Sequence, residues 1–263
     1  MTSAFLQIAG ATRSLHVQVA REMARKILSG KLMQDEIIPS EKVLCEQFKV
    51  SRTALREAIK LLTAKGLLES KPKVGTRVKT RDNWNFLDSQ LLAWVDDLGD
   101  NAAVYQEFLA LRRAIEPAAA ALAAKNATAE QRVLLSKTFQ EMDQLSQHFN
   151  SEQWIAADVQ FHRLIFLSTG NTFYLPFANI LATMFTSFIV HSSEVGGTCI
   201  EEHRALYTAI MAGDAEKARQ ANISLLSNNK HRLPLANKQL PYTAFNETFN
   251  ETFNETLNEP LNA

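Results

Sequence analysis

Disulfide bonds cannot organise this chain. It has two cysteines, Cys45 and Cys199, far apart in sequence and in no metal-type spacing, which fits a reducing cytoplasm. Glycine is also scarce, nine in 263 residues, and no glycine-rich loop suited to cradling phosphates is present. No nucleophile stands in an activated pattern, which weighs against an enzyme. The first residues, MTSAFLQIAGATRS, lack the charged start and long apolar block of a signal peptide and are expected to form a loose arm. The longest charge-free stretch runs between Arg163 and Glu194, but Pro176, Asn179, Thr183, Thr186, Ser187 and His191 interrupt it. That reads as a buried bundle helix, with no membrane span.

Net charge is absent as well, since 28 Lys and Arg balance 28 Asp and Glu. The average conceals a split. Residues 1–80 hold 15 basic against 7 acidic side chains, a surplus of eight, so the remainder carries minus eight.

The basic part contains PSEKVLCEQFKVSRTALREAIKLLTAKGLL, residues 39–68. It reads as a short helix, a tight turn and a longer helix. Ser40 and Ser51 stand where a hydroxyl can cap each helix. Val43, Leu44 and Phe48 form the apolar stripe of the first helix, and Leu55, Ala58, Ile59 and Leu62 that of the second. Arg52, Arg56 and Lys60 recur every four residues on the opposite face, with Thr53 beside them, and Gly66 closes the helix. Such a face is ordinarily a solvated surface. On the second helix of a helix-turn-helix, however, it also fits the DNA major groove. LLES and TRVK are strand-like around the turn KPKVG, so Lys71, Lys73, Arg77, Lys79 and Arg81 crowd a hairpin able to meet phosphates.

Taken together, these residues resemble the winged helix-turn-helix of GntR-family bacterial transcription regulators. The pattern is P-S-E-x-x-L at Pro39 to Leu44, V-S-R-x-x-L-R-E-A-I at Val50 to Ile59, L-x-x-x-G-L at Leu62 to Leu67 and G-T-x-V at Gly75 to Val78. The resemblance implies DNA contacts from Arg52, Thr53 and Arg56, next to the Ser51 cap, and one from Lys42 after P-S-E. It also implies a wing carrying Lys71 and Lys73 with its glycine at Gly75, and a double-stranded operator bound by a homodimer.

A helix is expected over 15–29, before the helix-turn-helix. After the wing, residues 81–100 include Trp84 and Trp94 among other large apolar groups, a linker that docks on something. Helices are expected near 101–125, 128–148, 151–168, 172–194, 198–212 and 214–230, with Gly196-Gly197 as one of the breaks. Six helices on short loops make an antiparallel bundle. The expected fold is therefore mostly α: an N-terminal winged helix-turn-helix with a small β-hairpin wing over 1–80, the linker over 81–100, and an antiparallel α-helical effector-binding bundle over 101–232. Residues 233–263, with F-N-E-T three times over, read as a low-complexity disordered tail; its N-E-T units match a glycosylation pattern that a cytoplasmic protein does not use.

LRRAIEPAAAALAA, ADVQFHRLIF and EEHRALYTAIMAGDAEKARQ resemble, in that order, the helical ligand-binding domain of the FadR-type branch of the same family. WNFLDSQLLAW is similar to the linker of its sugar-acid regulators, the galactonate-repressor type. Asp158 and His162, four apart, share one helix face, and with His203 they supply ligands suited to a divalent cation; by itself a D-x-x-x-H pair is more often a plain hydrogen bond. The resemblance makes Asp158, His162 and His203 three of four ligands for one metal ion, Zn, Ni or Mn. Leu225 stands at the fourth position, while Asn222 one turn earlier and His231 six residues later fall outside the pattern. A three-ligand site and a cavity that holds the effector by hydrogen bonds alone both remain open. Arg112, one turn before Glu116, makes either an i,i+4 ion pair or, as the resemblance implies, a clamp on the carboxylate of an organic acid.

The expected function is a ligand-responsive repressor of sugar-acid or organic-acid genes, with a small carboxylate as effector and no catalytic residues. A metal-dependent hydrolase using Asp158, His162 and His203 is the rival class, but no general base accompanies those ligands. An acyl-chain sensor on the same fold is the other alternative, weighed against by the polar trio and Arg112.

Overall fold

The computed structural model describes residues 15–98, 102–193 and 198–227, with side chains omitted at 102, 103 and 185–193. The expected N-terminal arm, the Gly196-Gly197 break, His231 and the F-N-E-T tail lie outside the described residues. Ten helices and one two-stranded sheet are present among those described, and the chain divides into two compact units, Met1–Leu98 and Gly99–Ala263.

In the first unit α1 (Leu15–Leu28) buries Val19, Ala20, Met23, Ala24 and Ile27 and packs on α3. The helix-turn-helix follows as α2 (Glu41–Phe48) and α3 (Arg52–Ala64). The Ser51 hydroxyl accepts from the Ala54 amide at 3.2 Å, whereas the Ser40 hydroxyl makes no capping bond, contrary to the expectation. Val43 is also displaced from its expected place in the core: it is 40% exposed, and Leu44 carries the burial of α2. With only eight residues α2 has a narrow buried stripe, which Leu44 fills with help from Phe48 and Cys45. Lys49 turns the chain at φ 53, and Ser51 caps α3 two residues on. Leu55 and Leu62, fully buried on α3, each contribute about 2 kcal/mol of apolar transfer.

Gly66 ends α3 at φ +77, and a Cβ there would meet the Asn83 carbonyl oxygen at 2.0 Å, so only glycine fits. β1 (Leu68–Lys71) pairs antiparallel with β2 (Gly75–Val78), each strand one residue away from the expected LLES and TRVK. Lys73 at φ 64 and Gly75 at φ 117 shape the tip. The segment before α2 lies along the other edge of β2, where the Ile38 amide donates to the Thr76 carbonyl at 2.9 Å. The stretch read as a linker packs on this unit. Trp84, Leu91 and Trp94, the last two on α4 (Ser89–Asp96), join its core, and Lys65 forms a 2.6 Å ion pair with Asp88, the N-cap of α4.

The second unit is built from α5 (Ala102–Asn126), α6 (Ala129–Gln147), α7 (Ser151–Leu167), α8 (Leu175–Ser193), α9 (Ile200–Met211) and α10 (Ala215–Ser227). A single 3₁₀ turn, Thr172–Tyr174, occupies what was expected as the start of α8. Side-chain caps start three of these helices: Thr128 and Gln131 make a reciprocal capping box on α6, Asn150 caps α7, and Asp214 accepts from the Lys217 amide in the first turn of α10. α10 packs on α5 and α9, while α7 packs on α5, α6 and α8. Arg132 of α6 stitches two helix ends together by donating to the Ala124 and Ile210 carbonyls at 2.8 and 2.6 Å. No described helix is long and apolar enough to cross a membrane.

Candidate nucleic-acid interface and buried polar cluster

The first unit presents an outward basic face. Lys42, Ser51, Arg52, Thr53 and Arg56 are exposed, as are Lys71, Lys73 and Gly75 on the wing. Their electrostatics differ. Glu41 on α2 takes the Arg56 Nε–H with both carboxylate oxygens, at 3.0 and 3.2 Å, and Glu57 takes Lys60 at 2.8 Å. Arg77 is spent inside the wing on Glu69 and Asp35, and Lys71 lies 3.4 Å from Glu69. Arg52, Lys42 and Lys73 have no acidic partner within 4.0 Å among the described residues. Arg52 at the α3 N-terminus and Lys73 at the wing tip therefore carry positive charge on two separate elements of one unit, as a DNA duplex requires.

In the second unit, four helices bring polar side chains into an otherwise apolar interior. Arg112 and Glu116 come from α5, Asp158 and His162 from α7, His203 from α9 and Asn222 from α10, and all six are buried. The i,i+4 pairs expected from spacing both form. Arg112 Nε donates to Glu116 Oε1 at 2.5 Å, and His162 Nε2 lies 3.5 Å from Asp158 Oδ1. At 1% exposure the Arg112 pair is far from the surface ion pair that spacing alone suggests.

Each imidazole has an oxygen beside its Nδ1, hydrogen-bonded to it in the case of His203. His162 Nδ1 faces Glu116 Oε2 at 2.9 Å, and His203 Nδ1 meets the Cys199 carbonyl at 2.8 Å. With acceptors at both Nδ1 positions, each ring turns its Nε2 toward Asp158 Oδ1, at 3.5 and 2.9 Å. Phe161 stands edge-on to both rings, at 5.8 and 5.6 Å between centroids, and Trp154 is edge-on to His203 at 6.1 Å. One ligand atom from each of Asp158, His162 and His203 lies within 4.8 Å of the others. One carboxylate oxygen and two imidazole nitrogens, with Glu116 and a backbone carbonyl orienting the imidazoles, is a donor set that fits a divalent transition metal.

Burial opposes ionisation of Glu116, but the charges of Arg112 and His162 outweigh it and hold its carboxyl at about 2. Burial likewise pushes Asp158 up, and its approach to His203 outweighs that and leaves it lowered. For His203 burial works downward, while Asp158 and the Cys199 carbonyl prevail and leave it raised. Two ionised carboxylates thus sit in a buried interior beside the Arg112 guanidinium and two imidazoles.

Leu225, at the position where the resemblance calls for a fourth ligand, is buried and apolar. Glu116 was legible only as the partner of Arg112; that it also holds His162 follows from packing of α5 on α7. A surface groove of about 570 Å³ between α9 and α10, lined by Arg204, Ala209, Asp214 and Lys217 among others, involves none of the clustered residues.

An outward helix-turn-helix with a basic wing, joined in one chain to a helical unit with a buried polar cluster, defines a DNA-binding regulator that receives a small ligand. Residues 15–78 match the family described as bacterial regulatory proteins, gntR family, and residues 107–228 match the FCD domain. The chain belongs to the GntR family of bacterial transcription regulators, in the branch with an FCD domain. It is 37% identical to the uncharacterised HTH-type transcriptional regulator YieP of Escherichia coli K12, over 82% of this chain and 94% of that protein. To the galactonate operon transcriptional repressor of the same organism it is 28% identical, over 80% of this chain and 93% of that one. The solved structure of Lar, titled as controlling expression of the Listeria monocytogenes agr system, covers 83% of this chain and 95% of its own at 21% identity and a TM-score of 0.55, a likeness of fold.

Proposed function

We propose that the protein is a cytoplasmic homodimeric repressor that releases its operator when a small carboxylate, of the sugar-acid class, enters the helical unit. α3 enters the major groove, with Arg52, Thr53 and Arg56 reading bases. Lys42, Lys71 and Lys73 neutralise phosphates, while Ser51 and Gly75 keep the helix start and the wing in shape. Two such units on a palindrome multiply the discrimination of one.

The observation that carries the effector reading is the turning of both Nε2 atoms onto one oxygen of Asp158, beside the buried Arg112–Glu116 pair. Asp158, His162 and His203 hold one divalent ion, Zn, Ni or Mn, which supplies a Lewis-acidic anchor for an acid. Arg112 adds a second positive charge on the side of α5. The sugar-acid class is supported by the likeness to a galactonate operon repressor. A mobility shift on a short palindrome, at two salt concentrations and with or without added D-galactonate, tests both halves. Equal affinity for every DNA sequence would remove the operator reading. Unchanged operator affinity across a panel of small acids would remove the effector reading.

A further inference from the structure

Asn222 is fully buried, yet neither its Oδ1 nor its Nδ2 meets a hydrogen-bond partner. A carboxamide stripped of water and left unbonded destabilises the folded chain. The neighbouring Leu225 and Leu226 show that α10 fills its buried face with leucine elsewhere.

Two contacts set the register of α10 on α5. Arg113 grips the Leu226 carbonyl with Nε and Nη2 at 3.2 and 3.1 Å, and the Cβ position of Gly213 lies 3.6 Å from the Ala124 carbonyl. Numbers fall along α5 as they rise along α10, so the two helices are antiparallel. Asn222, four residues before Leu226, is then level with Glu116, which lies about one turn beyond Arg113. α9 and α10 meet in a tight turn at Gly213, where the Asp214 amide donates to the Ala209 carbonyl at 3.0 Å. Nine residues past Gly213 on α10 is Asn222, and the residues about nine before it on α9 are His203 and Arg204. Since α10 packs only on α5 and α9 to any extent among the described residues, the buried carboxamide belongs to the layer of Glu116 and His203.

What Asn222 adds to that layer is a neutral group that donates and accepts at once. The carboxylates only accept, the arginine only donates, and both nitrogens of each imidazole already face an oxygen. The complement of a carboxamide is a hydroxyl, which also does both. Use of Oδ1 as a metal ligand would satisfy only the oxygen and leave Nδ2 unbonded. We propose that Asn222 reads a hydroxyl group of the effector, so that the ligand is a hydroxycarboxylic acid: its carboxylate lies toward the Arg112 and Asp158 cluster, and a hydroxyl bonds both atoms of the carboxamide. This deepens the effector reading given above and rests on it.

The test is calorimetry and thermal melting of the full chain with six-carbon acids of increasing hydroxylation: hexanoate, 2-hydroxyhexanoate, and the two epimers D-gluconate and D-galactonate. A hydroxylated acid should bind and raise the melting temperature while hexanoate binds at least tenfold more weakly. Asn222→Leu should erase that preference. With no ligand it should melt at or above the wild-type temperature, because an orphaned polar group has been removed. Asn222→Ala serves as the second variant should the leucine overpack. Retention of the preference by either variant would overturn the assignment, as would a variant that loses zinc affinity while keeping the preference. A wild-type chain that binds none of the four acids would instead bring down the effector reading itself.

Discussion

Glu41 Oε2 lies 3.0 Å from Nε of Arg56 and ties the first turn of α2 to the exposed face of α3. Both side chains are well exposed, at 42% and 64%, so the pair adds little to stability. Its consequence lies in orientation. Glu41 occupies the Nε edge of the guanidinium and leaves the terminal nitrogens for the guanine O6 and N7 of the proposed groove contact. Glu41→Gln should loosen that aim while removing a negative charge that repels phosphate. Affinity for random DNA should rise, and the ratio of operator to random affinity should fall about tenfold, the worth of one bidentate base contact. Fluorescence anisotropy with the two DNAs reads both, and an unchanged ratio would deny Glu41 a positioning role.

Arg52 and Lys73 should separate into different kinds of contact, although both are exposed cations without an acidic partner within 4.0 Å among the described residues. Arg52 stands at the start of α3, the helix proposed to enter the groove, and Lys73 sits at the wing tip. Arg52→Ala should cost about 1–3 kcal/mol at one operator position and relax sequence preference there. Lys73→Ala should weaken binding evenly across sequences and reduce the slope of log affinity against log salt by about one. A salt titration of each variant on matched and mismatched operators distinguishes them; identical profiles would mean that the wing does not touch phosphate.

Lys65 and Asp88 give the first unit an acid-sensitive lock. The Lys65 side chain is 4% exposed, and its ammonium meets Asp88 at 2.6 Å and lies 5.2 Å from the centre of the Trp94 ring. Burial raises the Asp88 carboxyl, but the Lys65 hydrogen bond and the Leu91 amide outweigh it and leave it below its ordinary value of 3.8. A depressed carboxyl stabilises the fold above its unfolded pKa and ceases to as pH falls through the folded one. The contribution is therefore complete above about pH 4 and lost in stronger acid. Asp88→Asn keeps the helix cap yet strands a buried ammonium, so it should cost about 3 kcal/mol at pH 7 and almost nothing once the pH is below the folded pKa of Asp88. Urea unfolding followed by tryptophan emission at the two pH values measures this, and an equal loss at both would assign the effect to the cap.

The helix-turn-helix was legible because each level of the sequence agreed there: Ser51 as cap, Leu55, Ala58, Ile59 and Leu62 at helical spacing, and Gly66 where only glycine fits. Ser40 and Val43 misled, because a polar residue before a helix need not orient its hydroxyl, and an eight-residue helix buries fewer positions than its composition offers. In the second unit, i,i+4 spacing revealed Arg112 with Glu116 and Asp158 with His162 as pairs on single helices. It could not reveal that Glu116 crosses to His162, or that Asn222 enters the same layer. Those relations depend on the register between helices, which no local pattern encodes.

Glu116 is where the metal and effector readings meet, since one carboxylate holds Arg112 by Oε1 and faces His162 Nδ1 with Oε2. With its carboxyl held at about 2, it is ionised at neutral pH. Glu116→Gln preserves shape but weakens both grips. The His162 ring, no longer fixed by a charged acceptor, should present Nε2 less reliably, and zinc affinity should fall about 10- to 100-fold, the usual cost of losing such an orienting partner. Arg112 would be left with a neutral amide in place of its counter-charge, so its attraction for an acidic ligand should strengthen even as the metal anchor weakens. Zinc titration of wild type and variant, followed by acid titration with and without chelator, separates the two. The result expected is weaker zinc binding together with a tighter chelator-resistant component of acid binding. Equal zinc affinity in the two proteins would show that Glu116 does not orient the His162 ring, and acid binding no tighter than wild type in chelator would show that Arg112 does not receive the carboxylate.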